Sequence, residues 1–360
     1  MIRPGITPRV IIDARYVSDA LHGMARYTLL MAQGLSGIPL TYEPVFLIQP
    51  GQSSKFSGFE THELGIPFLH PRELLEIPRA LKELRADLYH SPTFSSLAIC
   101  PCPWIVTIHD LNHRTYGGMK EKIYYQFLLK RFARSAKRIL TVSEFSRREL
   151  ADWLSVAPDK IRVVYNAIDS RLGQEVTEQD LDRVMKKYKL QPGNYFFCLS
   201  NPKPHKNVAL LVEAFQSFRK ENTETPLVLS MREFSDRLGV RALGSFSDEE
   251  TRALLAGAKA LFFPSLYEGF GLPPVEAAVM GVPLVVSSIL PHREALQDLA
   301  PDEALWVNPL DVHSWTKAMI RANRGELGAT RVETRRAILT RYAVSRLGAE
   351  MNAIYQEVLA

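Results

Sequence analysis

The stretch ALFFPSLYEGFGLPPVEAAVMGVPLVV, from Ala260 to Val286, constrains the fold of this chain most tightly. The apolar run Ala260 to Phe263 has the length and the aliphatic and aromatic content of a strand buried on both faces. Gly269 and Gly271 permit a positive φ or a close backbone approach to a ligand. Pro273 and Pro274 suit the start of a helix. Gly281 ends that helix, and Val282 to Ser287 reads as the next strand. A strand, a glycine turn and a helix start together form an anion site, because free N–H groups and the helix dipole face the loop. Two carboxylates flank the turn, with Glu268 in the loop and Glu276 in the expected first helical turn.

A nucleoside-diphosphate sugar would suit such a place. Its diphosphate needs N–H donors, and the vicinal hydroxyls of its ribose and hexose need carboxylate acceptors. On the residues alone a plainer reading stands beside this one. Glu276 can be a first-turn carboxylate that stabilises a helix start by about 0.5–1 kcal/mol, and Glu268 an exposed loop acid. The full string resembles the E-x7-E signature, EGFGLPxxE, of the retaining family-4 glycosyltransferases. That resemblance implies that Glu268 contacts the transferred sugar and Glu276 the ribose. Gly269, Phe270, Gly271 and Leu272 would then face the diphosphate. It also implies the α/β architecture called GT-B, two Rossmann-like domains with parallel sheets facing a central cleft.

The rest of the chain accords with that architecture. At 360 residues and 46% hydrophobic content it can bury two cores. Strand patterns separated by helix patterns imply parallel sheets. In the first half, Arg9 to Asp13, Val45 to Gln49, Leu88 to His90, Trp104 to His109, Arg138 to Val142 and Ile161 to Val164 read as strands. Tyr195 to Ser200, Leu227 to Leu229, Ala260 to Pro264, Val282 to Ser287 and Ala304 to Val307 do so in the second. The expected division is an acceptor-side domain over 1–175, a polar linker over 176–194 and a nucleotide-sugar domain over 195–335. A final helix over 336–360 would return to the first domain, as the resemblance implies.

A second segment, LSNPKPHKNVALLVEAF from Leu199, follows a strand and opens a helix with Lys206 near its start. A lysine there is either solvated or reaches toward a bound anion, and the resemblance implies that it binds the diphosphate. The family often carries a second cation, an arginine, where this chain has Asn201; Lys203 and His205 are the nearby substitutes, and neither presents a bidentate fork. His109 ends the strand pattern WIVTIHD. It is either a satisfied structural histidine or, as the resemblance implies, a contact to the donor sugar. Gly23 is read in two ways, as a plain helix-start glycine or as a loop approaching a phosphate or acceptor. Leu243 and Gly244 frame the base pocket in relatives. Ser143 reads most simply as an N-cap, and Ser247 with Glu250 as a capping box.

No metal or other cofactor is expected. Asp180-Leu181-Asp182 reads as a solvated helix face, and in GT-B enzymes a helix N-terminus and cations usually stand in for a divalent ion. Cys100, Cys102 and Cys198 lack zinc spacing and read as thiols of a reducing cytosol. No apolar run reaches the ~18 residues needed to cross a membrane. The N-terminus has no signal-peptide core. The expected location is therefore cytoplasmic.

The net charge is +5, with basic residues concentrated from Arg114 to Arg148. The run KEKIYYQFLLKRFARSAKR is either an ordinary surface helix or a peripheral contact for anionic lipid at the inner membrane face. Nucleic acid is not an expected partner, because its binding signatures are absent. The expected activity moves a hexose from a nucleoside-diphosphate sugar to a glycan or lipid-linked acceptor with retention. The leaving phosphate would act as base. The NPKPHKN and LPHREAL strings resemble those of bacterial mannosyl- and rhamnosyltransferases, which favours GDP-mannose or a related deoxyhexose donor. Rival readings are an epimerase or phosphorylase on the same fold, or a non-catalytic nucleotide-sugar-binding protein. A new nucleotide-sugar formed without acceptor would mark the epimerase.

Overall fold

The computed structural model describes residues 7–18 and 23–360. Its chain forms two compact units, Met1–Asp169 with Tyr342–Ala360, and Ser170–Arg341.

The first unit is built on β1 (Arg9–Asp13), β2 (Glu43–Ile48), β3 (Glu60–Glu63), β4 (Leu88–Ser91), β5 (Trp104–Thr107), β6 (Arg138–Thr141) and β7 (Ile161–Val163). These strands pair in parallel in the order β3-β2-β1-β4-β5-β6-β7. The central strands are buried on both faces, as their unbroken apolar runs demand. The sequence pattern does not mark β3. Its residues, ETHE, are polar, and an edge strand needs only backbone pairing on one side.

The final helix, Val344–Leu359, completes this unit by packing on the helix Gly23–Ser36. Glycines permit the close crossing: a Cβ on Gly34 would lie 2.5 Å from the Val344 carbonyl, and one on Gly348 2.3 Å from the Gly34 carbonyl. Tyr355 ties the same helix to the sheet, its hydroxyl 2.6 Å from His90 Nδ1, while His90 Nε2 meets Thr107 Oγ1 at 2.9 Å. Burial, aided by the nearby His109, lowers His90 to about 3 and keeps the ring neutral.

The second unit holds β8 (Phe196–Cys198), β9 (Leu227–Leu229), β10 (Val240–Ala242), β11 (Ala260–Phe263), β12 (Leu284–Ser287) and β13 (Ala304–Val307). They pair in parallel in the order β10-β9-β8-β11-β12-β13. β10 is a second edge strand too short and polar for its sequence to mark. The 176–194 segment contains the helix Glu178–Tyr188, which packs on the helix Asp248–Ala256. There Tyr188 donates to Glu250 Oε1 at 2.9 Å, and Lys187 pairs with the same carboxylate. The capping box of Ser247 and Glu250 forms as expected, and Ser143 caps its helix by accepting from the Ser146 N–H at 3.1 Å.

Strand order reverses between β1 and β4 in one sheet and between β8 and β11 in the other. In open parallel sheets, loops at the carboxyl ends beside such a reversal form the ligand crevice. Among the described residues, no helix is long and apolar enough to cross a membrane, and no group of His, Cys, Asp and Glu could hold a metal ion.

Candidate active site

The loops after β8 and β11 meet at the reversal point of the second sheet. Lys206 ends the short turn Pro204–Lys206 after β8. Asn207 follows with φ +56, and its side-chain amide donates to the carbonyls of Pro264, at 3.2 Å, and Pro309, at 2.7 Å. The His205 carbonyl accepts from the Leu266 N–H at 2.7 Å. Together these bonds pin the β8 loop to the start of the β11 loop.

That pinning brings Lys206 Nζ to 2.6 Å from Glu268 Oε1. Ser265 Oγ donates to the same oxygen at 2.7 Å, and the ammonium lies 5.7 Å from the Phe263 ring centroid. Both side chains are mostly covered, at 15% and 11% exposure, so water screens the pair weakly. Burial pushes the Glu268 carboxyl up. The Lys206 ammonium and the hydrogen bonds from Lys206 and Ser265 outweigh it and hold the group below the ordinary carboxylate range. Glu268 is thus a buried carboxylate, not the exposed loop acid of the plainer reading.

Gly269, Phe270 and Gly271 form the turn that follows, and Gly271 has φ +97, a conformation open to glycine. The next helix runs Leu272–Val279, so it starts one residue before the two prolines. Leu272 offers an N–H without an intrahelical acceptor, and Pro273 and Pro274 have no N–H to give. Glu276 is its fifth residue and only 4% exposed, which corrects its expected place in the first turn. A carboxylate so deeply covered is more than a solvated dipole partner.

A group that the sequence reading passed over also joins the site. The His292 ring is fully buried against Gly271 and stacks obliquely near Phe263, with ring centres 5.3 Å apart. Burial lowers it to about 4, despite the opposing pull of Glu268, so the ring is neutral at pH 7. A polar residue a few positions past a strand's carboxyl end was the available signal.

The remaining expected residues are placed as follows. Leu243 and Gly244 leave the carboxyl end of β10, where the Leu243 N–H donates to the Leu229 carbonyl and Gly244 takes φ +87. Asn201 is exposed, and its side chain accepts from the Lys203 N–H at 3.2 Å. His205 is buried and Lys203 exposed, so Lys203 is the cation of that loop left facing solvent.

His109 and Gly23 belong to the first unit. His109 Nε2 lies 3.0 Å from the Pro92 carbonyl, which can only accept, so this nitrogen carries the ring proton. Burial lowers His109 to about 4, against a smaller upward pull from that bond. Its ring stands edge-on to Tyr27 at 4.9 Å. Gly23 opens the helix Gly23–Ser36, and a Cβ there would meet none of the described residues within 4 Å. Residues 19–22 lie outside the described residues.

Residues 21–172 match the family model described as Glycosyltransferase Family 4, and residues 182–339 match that of Glycosyl transferases group 1. The O-antigen chain mannosyltransferase B of Escherichia coli is 32% identical over 339 residues, covering 84% of this chain and 87% of that protein. The chain belongs to the family-4 glycosyltransferases. RfbU of Salmonella typhimurium, an O-antigen chain mannosyltransferase, is 30% identical over 225 residues, 59% of either chain. Among solved structures, Anabaena HepE with UDP and glucose has a TM-score of 0.74 at 14% identity, over 97% of this chain and 100% of that one. Sucrose-phosphate synthase of Thermosynechococcus elongatus has a TM-score of 0.73 at 16% identity, over 98% and 99%. At such identities the likeness is one of fold, and it is the GT-B fold. This glycosyltransferase therefore carries the expected two parallel-sheet units.

Proposed function

We propose that this glycosyltransferase moves a mannosyl or related deoxyhexosyl group from its GDP-sugar to a glycan or lipid-linked acceptor, with retention and without a metal ion. The observation that carries this reading is the ion pair of Lys206 and Glu268 beside the Gly269–Leu272 turn. In a sugar nucleotide the anomeric carbon and the β-phosphate are joined through one oxygen. A cation for the phosphate and a carboxylate for the sugar must then be neighbours, and here they touch. The names of the relatives, O-antigen mannosyltransferases, support the choice of sugar.

In this mechanism Glu276 accepts the ribose hydroxyls, and Leu243 and Gly244 border the base. Lys206, the turn N–H groups and the start of the Leu272–Val279 helix take up charge as the diphosphate leaves. Such preorganised stabilisation is usually the largest catalytic term. The bond from the anomeric carbon to the β-phosphate oxygen breaks. The acceptor oxygen bonds the same face of that carbon, and its proton passes to the leaving phosphate. His109, with its proton held on Nε2, offers Nδ1 as an acceptor for a donor-sugar hydroxyl. Gly23, at the start of the Gly23–Ser36 helix, serves acceptor or phosphate. Lys203 supplies the second cation that Asn201 does not.

The basic run in the first unit supports peripheral contact with anionic lipid at the inner membrane face. Met119, Ile123 and Phe127 recur every four residues and are 73%, 50% and 67% exposed, with Lys120, Lys122, Lys130 and Arg131 around them. Flotation with phosphatidylserine vesicles tests this contact; binding that Phe127→Glu leaves unchanged would refute it.

The donor reading is tested by thermal shift in EDTA with GDP-, UDP-, ADP- and dTDP-sugars. A ligand at 100 times its dissociation constant adds about 2.7 kcal/mol, and GDP-mannose should give the largest shift. Stabilisation by another nucleotide alone would overturn the choice of donor. Turnover that vanishes in EDTA and returns with Mn²⁺ would overturn metal independence.

A further inference from the structure

His292 holds a proton on one nitrogen and an unused lone pair on the other. Its Nδ1 lies 3.0 Å from the Ser287 carbonyl and 3.1 Å from Ser287 Oγ. The Ser287 hydroxyl proton is already given to the Ser265 carbonyl at 2.6 Å. Both oxygens that face Nδ1 can therefore only accept, so Nδ1 must carry the ring hydrogen. Nε2 is then an acceptor, and it is buried with no hydrogen-bond partner among the described residues.

The unpartnered nitrogen sits at the glycine turn. A Cβ on Gly271 would fall 2.7 Å from His292 Cδ2 and 3.1 Å from Nε2. Glycine leaves only hydrogens against this edge of a fully buried ring, so a hydroxyl reaches the lone pair where the Gly271 turn yields. Ser287, which holds Nδ1, bonds the Ser265 carbonyl, and Ser265 Oγ bonds Glu268. Phe263 lies 5.3 Å from the His292 ring centre and 5.7 Å from the Lys206 ammonium, and these contacts tie the ring to the ion pair. The diphosphate of a sugar nucleotide, esterified at both ends, has no proton to give to Nε2 at neutral pH. A sugar hydroxyl has one.

We propose that His292 is a further donor-sugar contact, its Nε2 lone pair accepting a hydroxyl of the transferred hexose beside Glu268. The assignment rests on the sugar-nucleotide reading above, and it adds a group that distinguishes the sugar from the bare diphosphate. Buried acceptors without partners are costly, so a hydroxyl placed here is favoured over an analogue lacking it.

His292→Asn keeps an N–H for the Ser287 oxygens and removes the acceptor at Nε2, whereas His292→Gln places an acceptor nearer the Nε2 position. Binding and turnover are measured with GDP-mannose and UDP-glucose, each against its free diphosphate. For the sugar nucleotide that serves as donor, kcat/KM should fall about tenfold in His292→Asn, the scale of one hydrogen bond. Affinity for the free diphosphate should stay at the wild-type level, and His292→Gln should recover part of the loss. Equal losses for sugar nucleotide and diphosphate would overturn the proposal, since His292 would then only prop the turn. A wild-type measurement needs no variant to fold: the ¹⁵N signal of Nε2 should move on adding the sugar nucleotide and stay still with the diphosphate. A signal that moves with neither, while the sugar nucleotide binds, overturns the proposal. Wild-type protein that binds neither sugar nucleotide overturns the donor reading and this assignment with it.

Discussion

The two sheets reverse strand order in the same way, yet the charges at their reversal points are used differently. In the first unit the point between β1 and β4 is filled by Asp13, Arg15 and Glu73, all buried. Arg15 Nη2 reaches Asp13 Oδ2 at 2.7 Å and Glu73 Oε1 at 3.0 Å. Tyr89 donates to Asp13 at 3.0 Å, and Ser95 and the Leu69 N–H donate to Glu73 at 3.0 and 2.9 Å. Burial still raises the Glu73 carboxyl, more than Arg15 lowers it. In the second unit the point between β8 and β11 holds Lys206 and Glu268, with a bare imidazole nitrogen and a helix start alongside. A network whose members satisfy one another makes a frame. An ion pair with unused valences around it makes a candidate binding site.

Removing the guanidinium should break the frame with the largest effect. Arg15→Ala leaves two buried carboxylates facing each other and should cost about 3–5 kcal/mol of stability, the usual penalty for breaking a buried pair. Below its melting point the variant should bind a free nucleoside diphosphate like the wild type. An unchanged melting temperature, or a selective loss of diphosphate binding, would erase the contrast between frame and site.

The two glutamates sharpen the other side. Glu268→Gln should lower kcat and kcat/KM by roughly a hundredfold or more, the scale of removing one preorganised transition-state contact. Glu276→Gln should mainly weaken donor binding, because the ribose does not react. Affinity for the bare nucleoside diphosphate should fall for Glu276→Gln and hold for Glu268→Gln. Calorimetry with the reverse order would invert the assignment of sugar and ribose along the turn.

Lys206→Ala should cost about 1.5–3 kcal/mol of diphosphate affinity for one charge-assisted contact. It should also change the acid dependence of stability. In the wild type the Glu268 carboxyl is depressed, so its contribution is present above the ordinary glutamate value of ~4.3 and fades as pH falls through the depressed one. Without Lys206, burial would raise that carboxyl, and the variant should lose stability as pH rises through the new value. Parallel melting curves of both proteins from pH 3 to 7 would refute the coupling.

Much of this was legible in sequence because the proposed donor side uses local signals. Strand, glycine turn, helix start and both glutamates lie within one stretch, so local propensities and neighbouring residues reveal them together. β3 and β10 were not legible, since ETHE and VRA carry no apolar run and pair only through the backbone. The buried Asp13–Arg15–Glu73 network was not legible either, because its carboxylates stand 60 positions apart and look like surface charges until the chain folds.

By itself the sequence determined that this chain alternates strand and helix and carries a glycine turn between two glutamates, for these depend on neighbours along the chain. Only the tertiary structure decided that Lys206 and Glu268, 62 residues apart, form one pair. It also decided which proton His292 keeps, since that depends on the Ser287 and Ser265 oxygens that the paired strands deliver to it. Charge state and hydrogen-bond direction are properties of the assembled surroundings, and a linear pattern of residues does not contain them.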